Sequence, residues 1–171
     1  MKILWIIVMI LALSTEVSAL DFRGIEIGSN VSEAKKIAAT IARSEIIQEP
    51  NNFTFEVLIK DVSVQVKVIS DKNEVVQILF NFSRENYSII KDAMIDKYGS
   101  KFTITRMPYE TNLGVASDYE RVSWVIKANS LLLSEKMRFD ELESEANIYS
   151  TEWFNKQLIA YKSKNKSKPG F

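Results

Sequence analysis

The sequence predicts an α+β fold: an antiparallel sheet with helices on one face, in the order α-β-β-β-α-β-β-β-α. Three observations predict it. Apolar residues recur with period two in three runs between Phe53 and Phe82, and three further strand-like runs lie between Tyr119 and Tyr149. Only short breaks separate successive runs, so neighbouring strands turn back on one another. Apolar residues at helical spacing stand before, between and after the two blocks. The pattern reads as one helix-plus-meander unit used twice, with a closing helix.

The chain opens with Met1-Lys2, an unbroken apolar run from Ile3 to Leu13, and a polar stretch ending in Val17-Ser18-Ala19. This is the plan of a secretory signal peptide, and the expected cut follows Ala19. The run is too short for a membrane anchor, which needs about 20 apolar residues. The expected domains are therefore a signal peptide over 1–19, a single α+β domain over 20–161, and a disordered basic tail over 162–171. The expected product is periplasmic or secreted, with no stable membrane insertion after cleavage.

From Asp21 to Gly28 the chain reads as a short extended lead-in ending at a glycine turn. A helix follows over 32–43, with Ser29 or Ser32 as its cap. Val31, Ala34, Ile37 and Ile41 give it an apolar side. Pro50 closes the linker. Strands are expected from Phe53 to Ile59, Val62 to Val68 and Val76 to Phe82, with a turn at Asp71-Lys72-Asn73. Ser83 then caps a second helix over 84–98, with Tyr87, Ile90 and Met94 on one side. Gly99 ends it, where a helix favours a residue tolerant of positive φ. Residues 100–118 read as irregular, with Pro108 and Gly114. Strands resume over Tyr119 to Lys127, Leu131 to Phe139 and Ser144 to Tyr149. A helix over 152–162, with Phe154, Leu158 and Tyr161 at i, i+4 and i+7, is expected to join the other two in covering the sheet. The lysines at 162, 164, 166 and 168 read as a solubilising tail.

Composition narrows the chemistry. There is no His and no Cys, and Lys+Arg and Asp+Glu number 22 each. Triads and Cys-His pairs are excluded, as are His- or Cys-ligated zinc and lipidation at an amino-terminal Cys. Neutrality gives no global field toward nucleic acid. The five glycines form no phosphate loop. No cofactor and no metal is expected. The acidic stretch Asp140, Glu141, Glu143, Glu145 lacks the glycine of a calcium loop and reads as a solvated face. Asn-x-Ser/Thr triplets at Asn30, Asn52, Asn81, Asn86 and Asn165 read as turns and caps. Trp124, in phase with Val122 and Ile126, belongs to the core; Trp153 opens the last helix and is expected to pack.

The stretch Gly24-Ile25-Glu26-Ile27-Gly28, leading into Ser32-Glu33-Ala34-Lys35, resembles the opening of small exported bacterial proteins of the SmpA/BamE-like and β-lactamase-inhibitor-protein-like group. Lys97-Tyr98-Gly99 after a helix, followed by strands with a Trp, is similar to many periplasmic proteins. The resemblance implies a helix packed on an antiparallel sheet, and a binding or scaffolding role, not catalysis.

With no autonomous catalytic site expected, the chain should act through a surface. Arg106, Met107, Tyr109 and Leu113 fall on an expected loop and have the composition of a contact site. The leading expectation is an exported soluble binding protein of the bacterial envelope, an inhibitor or assembly accessory with an unknown protein partner. The alternatives are a carrier of a small apolar ligand and a carboxylate-based glycan hydrolase.

Overall fold

The structure, a computed structural model, describes residues 20–110, 116–135 and 143–166. Residues 1–19, read above as a signal peptide, lie outside the described residues, as do Leu113, Asp140 and Glu141. The class is α+β: a two-stranded and an eight-stranded antiparallel sheet with three α-helices.

The lead-in folds as a minimal hairpin, β1 (Asp21–Phe22) and β2 (Ile25–Glu26). Arg23 and Gly24 carry its turn at φ 50° and 90°. Helix α1 (Val31–Ile41) follows, and its cap is Asn30, whose side chain accepts the Ser32 amide at 2.8 Å. Neither serine caps it; Ser29 instead donates to the Glu26 carbonyl at 2.7 Å. The Asn side chain is a strong acceptor at this position. A three-residue strand β3 (Ile47–Glu49) pairs with β4 (Asn52–Ile59), which pairs with β5 (Val62–Asp71), which pairs with β6 (Glu74–Ser83). Lys60-Asp61 and Lys72-Asn73 form the two tight turns, all four residues at positive φ. Two successive positive φ values match the right-handed twist of the flanking strands.

A short 3-10 turn (Arg84–Asn86) precedes α2 (Tyr87–Tyr98), so the helix starts later than its periodicity predicts. Ser83 makes no side-chain capping bond. Gly99 ends α2 at φ 83°, as expected. The second meander comprises β7 (Thr103–Glu110), β8 (Ala116–Ile126), β9 (Asn129–Ser134) and β10 (Glu143–Ser150), before α3 (Thr151–Lys166). The sheet order is β3-β4-β5-β6-β10-β9-β8-β7. The last strands of the two meanders therefore meet at the centre, with Ile78 opposite Ile148 and Phe80 opposite Ala146. Each unit is a helix with four strands, one more than the sequence reading has.

The expected loop containing Arg106, Met107 and Tyr109 is a strand. β7 pairs with β8 along its whole length, from Thr103 opposite Ser123 to Glu110 opposite Ala116. Thr103, Ile104 and Thr105 favour extended backbone. Pro108 is tolerated because β7 is an edge strand, where a missing amide breaks no central ladder.

One face of the sheet carries the core, with Phe53, Phe55, Val66, Ile78, Phe80, Ile148, Leu131 and Trp124 all buried. Helix α1 meets it through the small Ala34 and Ala38, and α2 through Ile90, Met94 and Tyr98. The Tyr98 hydroxyl donates to the Asp21 carbonyl at 2.6 Å, and Lys97 Nζ lies 3.1 Å from Asp21 Oδ2. These bonds fasten the lead-in hairpin to α2. Trp124 is core, as its phase predicts. Its indole N–H donates to the Gly99 carbonyl at 2.9 Å, and its ring packs on Phe102 at 5.3 Å.

Helix α3 does not cover the sheet as expected. Its Phe154 ring meets Tyr149 at 4.9 Å. Tyr149 alternates with buried Ile148, so this contact lies on the face away from the core. Trp153 is half-buried and donates its amide to Ser150 Oγ at 3.3 Å. Beyond the first turn the helix is exposed, and it continues through residues expected to be tail, to Lys166. No Gly or Pro intervenes before Pro169, and lysines suit a helix C-terminus.

Candidate functional site

Alternation along β7 splits the three described residues of the four singled out from the sequence. Arg106 stands opposite Glu120, in phase with buried Val122 and Trp124, and so on the helix-covered side. Met107 stands opposite Tyr119 on the other side, and position 109 shares its phase. The structure therefore separates Arg106 from Met107 and Tyr109.

What surrounds Arg106 is the most built polar site of the described residues. A half-open groove of about 370 Å³ lies between α2 and the β7–β8 edge, lined by Tyr87, Ser88, Lys91, Arg106, Asp118, Tyr119, Glu120 and Glu135. Strand β8 delivers Glu120, α2 delivers Tyr87 and Lys91 four residues apart on one side, and the end of β9 delivers Glu135. Glu120 Oε1 accepts the Tyr87 hydroxyl at 2.9 Å and Lys91 Nζ at 2.6 Å. Glu135 accepts Arg84 Nη2 at 2.8 Å on one oxygen and the Glu120 amide at 2.9 Å on the other. The Glu135 amide returns a bond to the Glu120 carbonyl at 2.9 Å.

The electrostatics follow from that wiring. Burial pushes the Glu135 carboxyl up. The Arg84 and Glu120 bonds and the charges of Arg84 and Arg106 outweigh it and hold the group below its ordinary range. Burial, then the Glu120 hydrogen bond and the charges of Glu120 and Glu135, push the Tyr87 phenol far above its ordinary value, so it stays a donor. At the groove's mouth, Arg106 and Asp118 are exposed. Neither has an ion-pair partner within 4.0 Å among the described residues. Wired charges inside and open charges of both signs at the rim make a surface for a polar, extended ligand.

Two other arrangements bear on function. A smaller apolar hollow of about 110 Å³ lies between α2 and the sheet, lined by residues including Phe22, Phe80, Ile90 and Met94. On the opposite face, Arg121, Ser134, Glu145 and Asn81 form a polar row across four strands. Burial raises the Glu145 carboxyl, and the Arg121 charge only partly offsets it. Arg121 Nε is buried with no hydrogen-bond partner. Glu143 and Glu145, the described part of the acidic stretch, share one side of β10 as alternation predicts; Glu143 is exposed, but Glu145 is half-buried and so is not on the solvated face expected. Of the Asn-x-Ser/Thr positions, Asn30 is a cap, whereas Asn52 and Asn81 lie within strands.

Sequence reading reaches Arg106 but misses Lys91, Glu120 and Glu135. They lie on three elements separated in sequence: the pairing of β8 with β9 joins Glu120 to Glu135, and the packing of α2 on the sheet brings Lys91 to Glu120. A scan of family models, a search of curated proteins and a search of solved structures each return no match.

Proposed function

We propose that this chain is an exported binding protein of the bacterial envelope, and that it captures a protein partner at the α2–β7–β8 groove. The observation that carries the reading is the pairing of a prewired groove with a free sheet edge. Strand β7 ends the eight-stranded sheet, and among the described residues no strand pairs with its outer side, so its outward amides and carbonyls suit an added strand. Arg106 and Asp118 stand beside that edge with no ion-pair partner within 4.0 Å among the described residues, Arg106 acting on Glu135 only at longer range. An extended partner segment carrying an acidic and a basic side chain would meet both demands. The resemblance of the 24–35 stretch to small exported bacterial proteins implies the same class of role.

The alternatives gain less support. A carrier needs an apolar cavity of about 300–1,000 Å³, and the apolar hollow is about 110 Å³. A glycan hydrolase needs one carboxyl held protonated beside an ionised one. Glu135 is pushed the other way, and Glu145, the carboxyl that burial raises, sits on the opposite face of the sheet.

The test is charge reversal with the partner recovered from envelope extracts. Arg106→Glu should weaken capture by about 2 kcal/mol or more, the hot-spot scale. Met107→Ser, on the other side of β7, should change it little. Equal capture by wild type and Arg106→Glu would refute the groove as the contact site.

A further inference from the structure

We propose that α3, with the lysines of its C-terminal half, docks the protein on an anionic lipid surface. Large exposed apolar side chains concentrate on this helix: Phe154 at 40%, Leu158 at 39%, Ile159 at 68% and Tyr161 at 66% exposure. The others among the described residues, Ile47, Ile89, Ile104 and Val125, are single residues on separate elements. Isolated exposed apolar residues are ordinary; four on one projecting helix are not. Phe154, Leu158 and Tyr161 recur at i, i+4 and i+7, which draws them into one stripe. The sheet meets the start of the stripe through Tyr149.

Charge selects the occupant. From Thr151 onward the chain has lysines at 156, 162, 164, 166 and 168 and one acid, Glu152. Lys156 pairs with Glu152 at 2.6 Å, so the segment's net positive charge comes from the lysines after it. Because the whole chain is formally neutral, this positive segment leaves the preceding residues net negative. A second copy of α3 would bring like charge against like charge. Nucleic acid would attract the lysines but offer the apolar stripe no solvent. An anionic bilayer supplies both: headgroups for the lysines and acyl chains for the stripe. Lys162 lies one turn after Leu158, where its stem can run along the stripe and its ammonium reach the headgroups. At about 1.5 Å per residue the 16-residue helix is about 24 Å long, short of the roughly 30 Å of a span, and lysines interrupt its apolar residues. No helix among the described residues is long and apolar enough to cross a membrane. The helix would lie in the plane of the interface.

The experiment is vesicle flotation of the chain begun at Leu20, since all of the core described above lies from that residue onward. Vesicles of phosphatidylcholine alone are compared with an equal mixture of phosphatidylcholine and phosphatidylglycerol. The protein should float with the anionic vesicles at low salt, and release as salt rises to about 0.5 M. Leu158→Ser with Tyr161→Ser should leave melting unchanged and cut partitioning about tenfold or more. Glutamine at 162, 164 and 166 should cut it by roughly 100-fold. Absence of flotation with anionic vesicles would overturn the proposal, as would equal binding to both vesicle types. So would a concentration-dependent dimer that the serine pair abolishes while vesicle binding stays absent, because the stripe would then serve self-association.

Discussion

Removing Glu120 should cost stability that neither of its partners can replace. Lys91 and Glu120 lie 2.6 Å apart with side chains 23% and 27% exposed. Exposed ion pairs contribute about 0–1 kcal/mol, and breaking a buried one costs about 3–5 kcal/mol. This half-buried pair falls between, near 2 kcal/mol. Glu120→Ala also strips the Tyr87 hydroxyl of its acceptor, for about another 1 kcal/mol. The expected loss is therefore about 3 kcal/mol for Glu120→Ala and about 1–2 kcal/mol for Lys91→Met. The double variant should lose less than the sum, by about 1–2 kcal/mol, because the two changes remove one shared interaction. Urea unfolding of the four proteins measures the cycle. If the two losses simply add, Lys91 and Glu120 are independent surface groups, and the argument that the groove is wired before any partner arrives fails.

Three further outcomes are expected. Trp124→Phe should destabilise by about 1–3 kcal/mol in thermal or urea unfolding, since it loses the bond to the Gly99 carbonyl and leaves part of a fully buried site empty. Gly99→Ala should cost about 1–3 kcal/mol through strain alone, because φ 83° with ψ 175° is a conformation almost confined to glycine and nothing lies within 4 Å of an added Cβ; a much larger loss in the same unfolding assay would mean that something crowds the site. The Glu145 carboxyl, raised by burial, binds its proton more tightly folded than unfolded. Its ionisation therefore lowers stability as pH rises above the unfolded value of about 4.3. Glu145→Gln should raise the melting temperature at neutral pH and have little effect well below pH 4; a pH-independent change would point to packing instead of charge.

The sequence makes the first meander legible because one side of each strand is continuously apolar. Phe53, Phe55 and Val57 face Val68, Val66 and Val64, and period two shows each run clearly. Trp124 and Gly99 are legible for the same kind of local reason, phase in one case and backbone freedom in the other. Strand β7 is not. It is an edge strand with exposed residues on both sides, so Ile104, Arg106 and Pro108 carry no contrast with Thr105 and Met107. The same holds for the short β3. Helix α3 misleads in the opposite direction: Phe154, Leu158 and Tyr161 have the spacing of a core-facing stripe, yet the sheet's apolar face is already filled by α1 and α2. The groove lies beyond local pattern, since Lys91, Glu120 and Glu135 become neighbours only through strand pairing and the packing of α2 on the sheet.

The most direct test of the central claim places a photo-crosslinking residue at position 106 in the full-length chain, and in parallel at Lys36, an exposed position on α1. Both variants are irradiated in intact envelopes, and the adducts are identified by mass spectrometry. A binding groove at the β7 edge predicts one discrete protein adduct from position 106, absent from position 36 and lost when Asp118 is changed to Lys. The same adducts from both positions, or none from position 106, would contradict it.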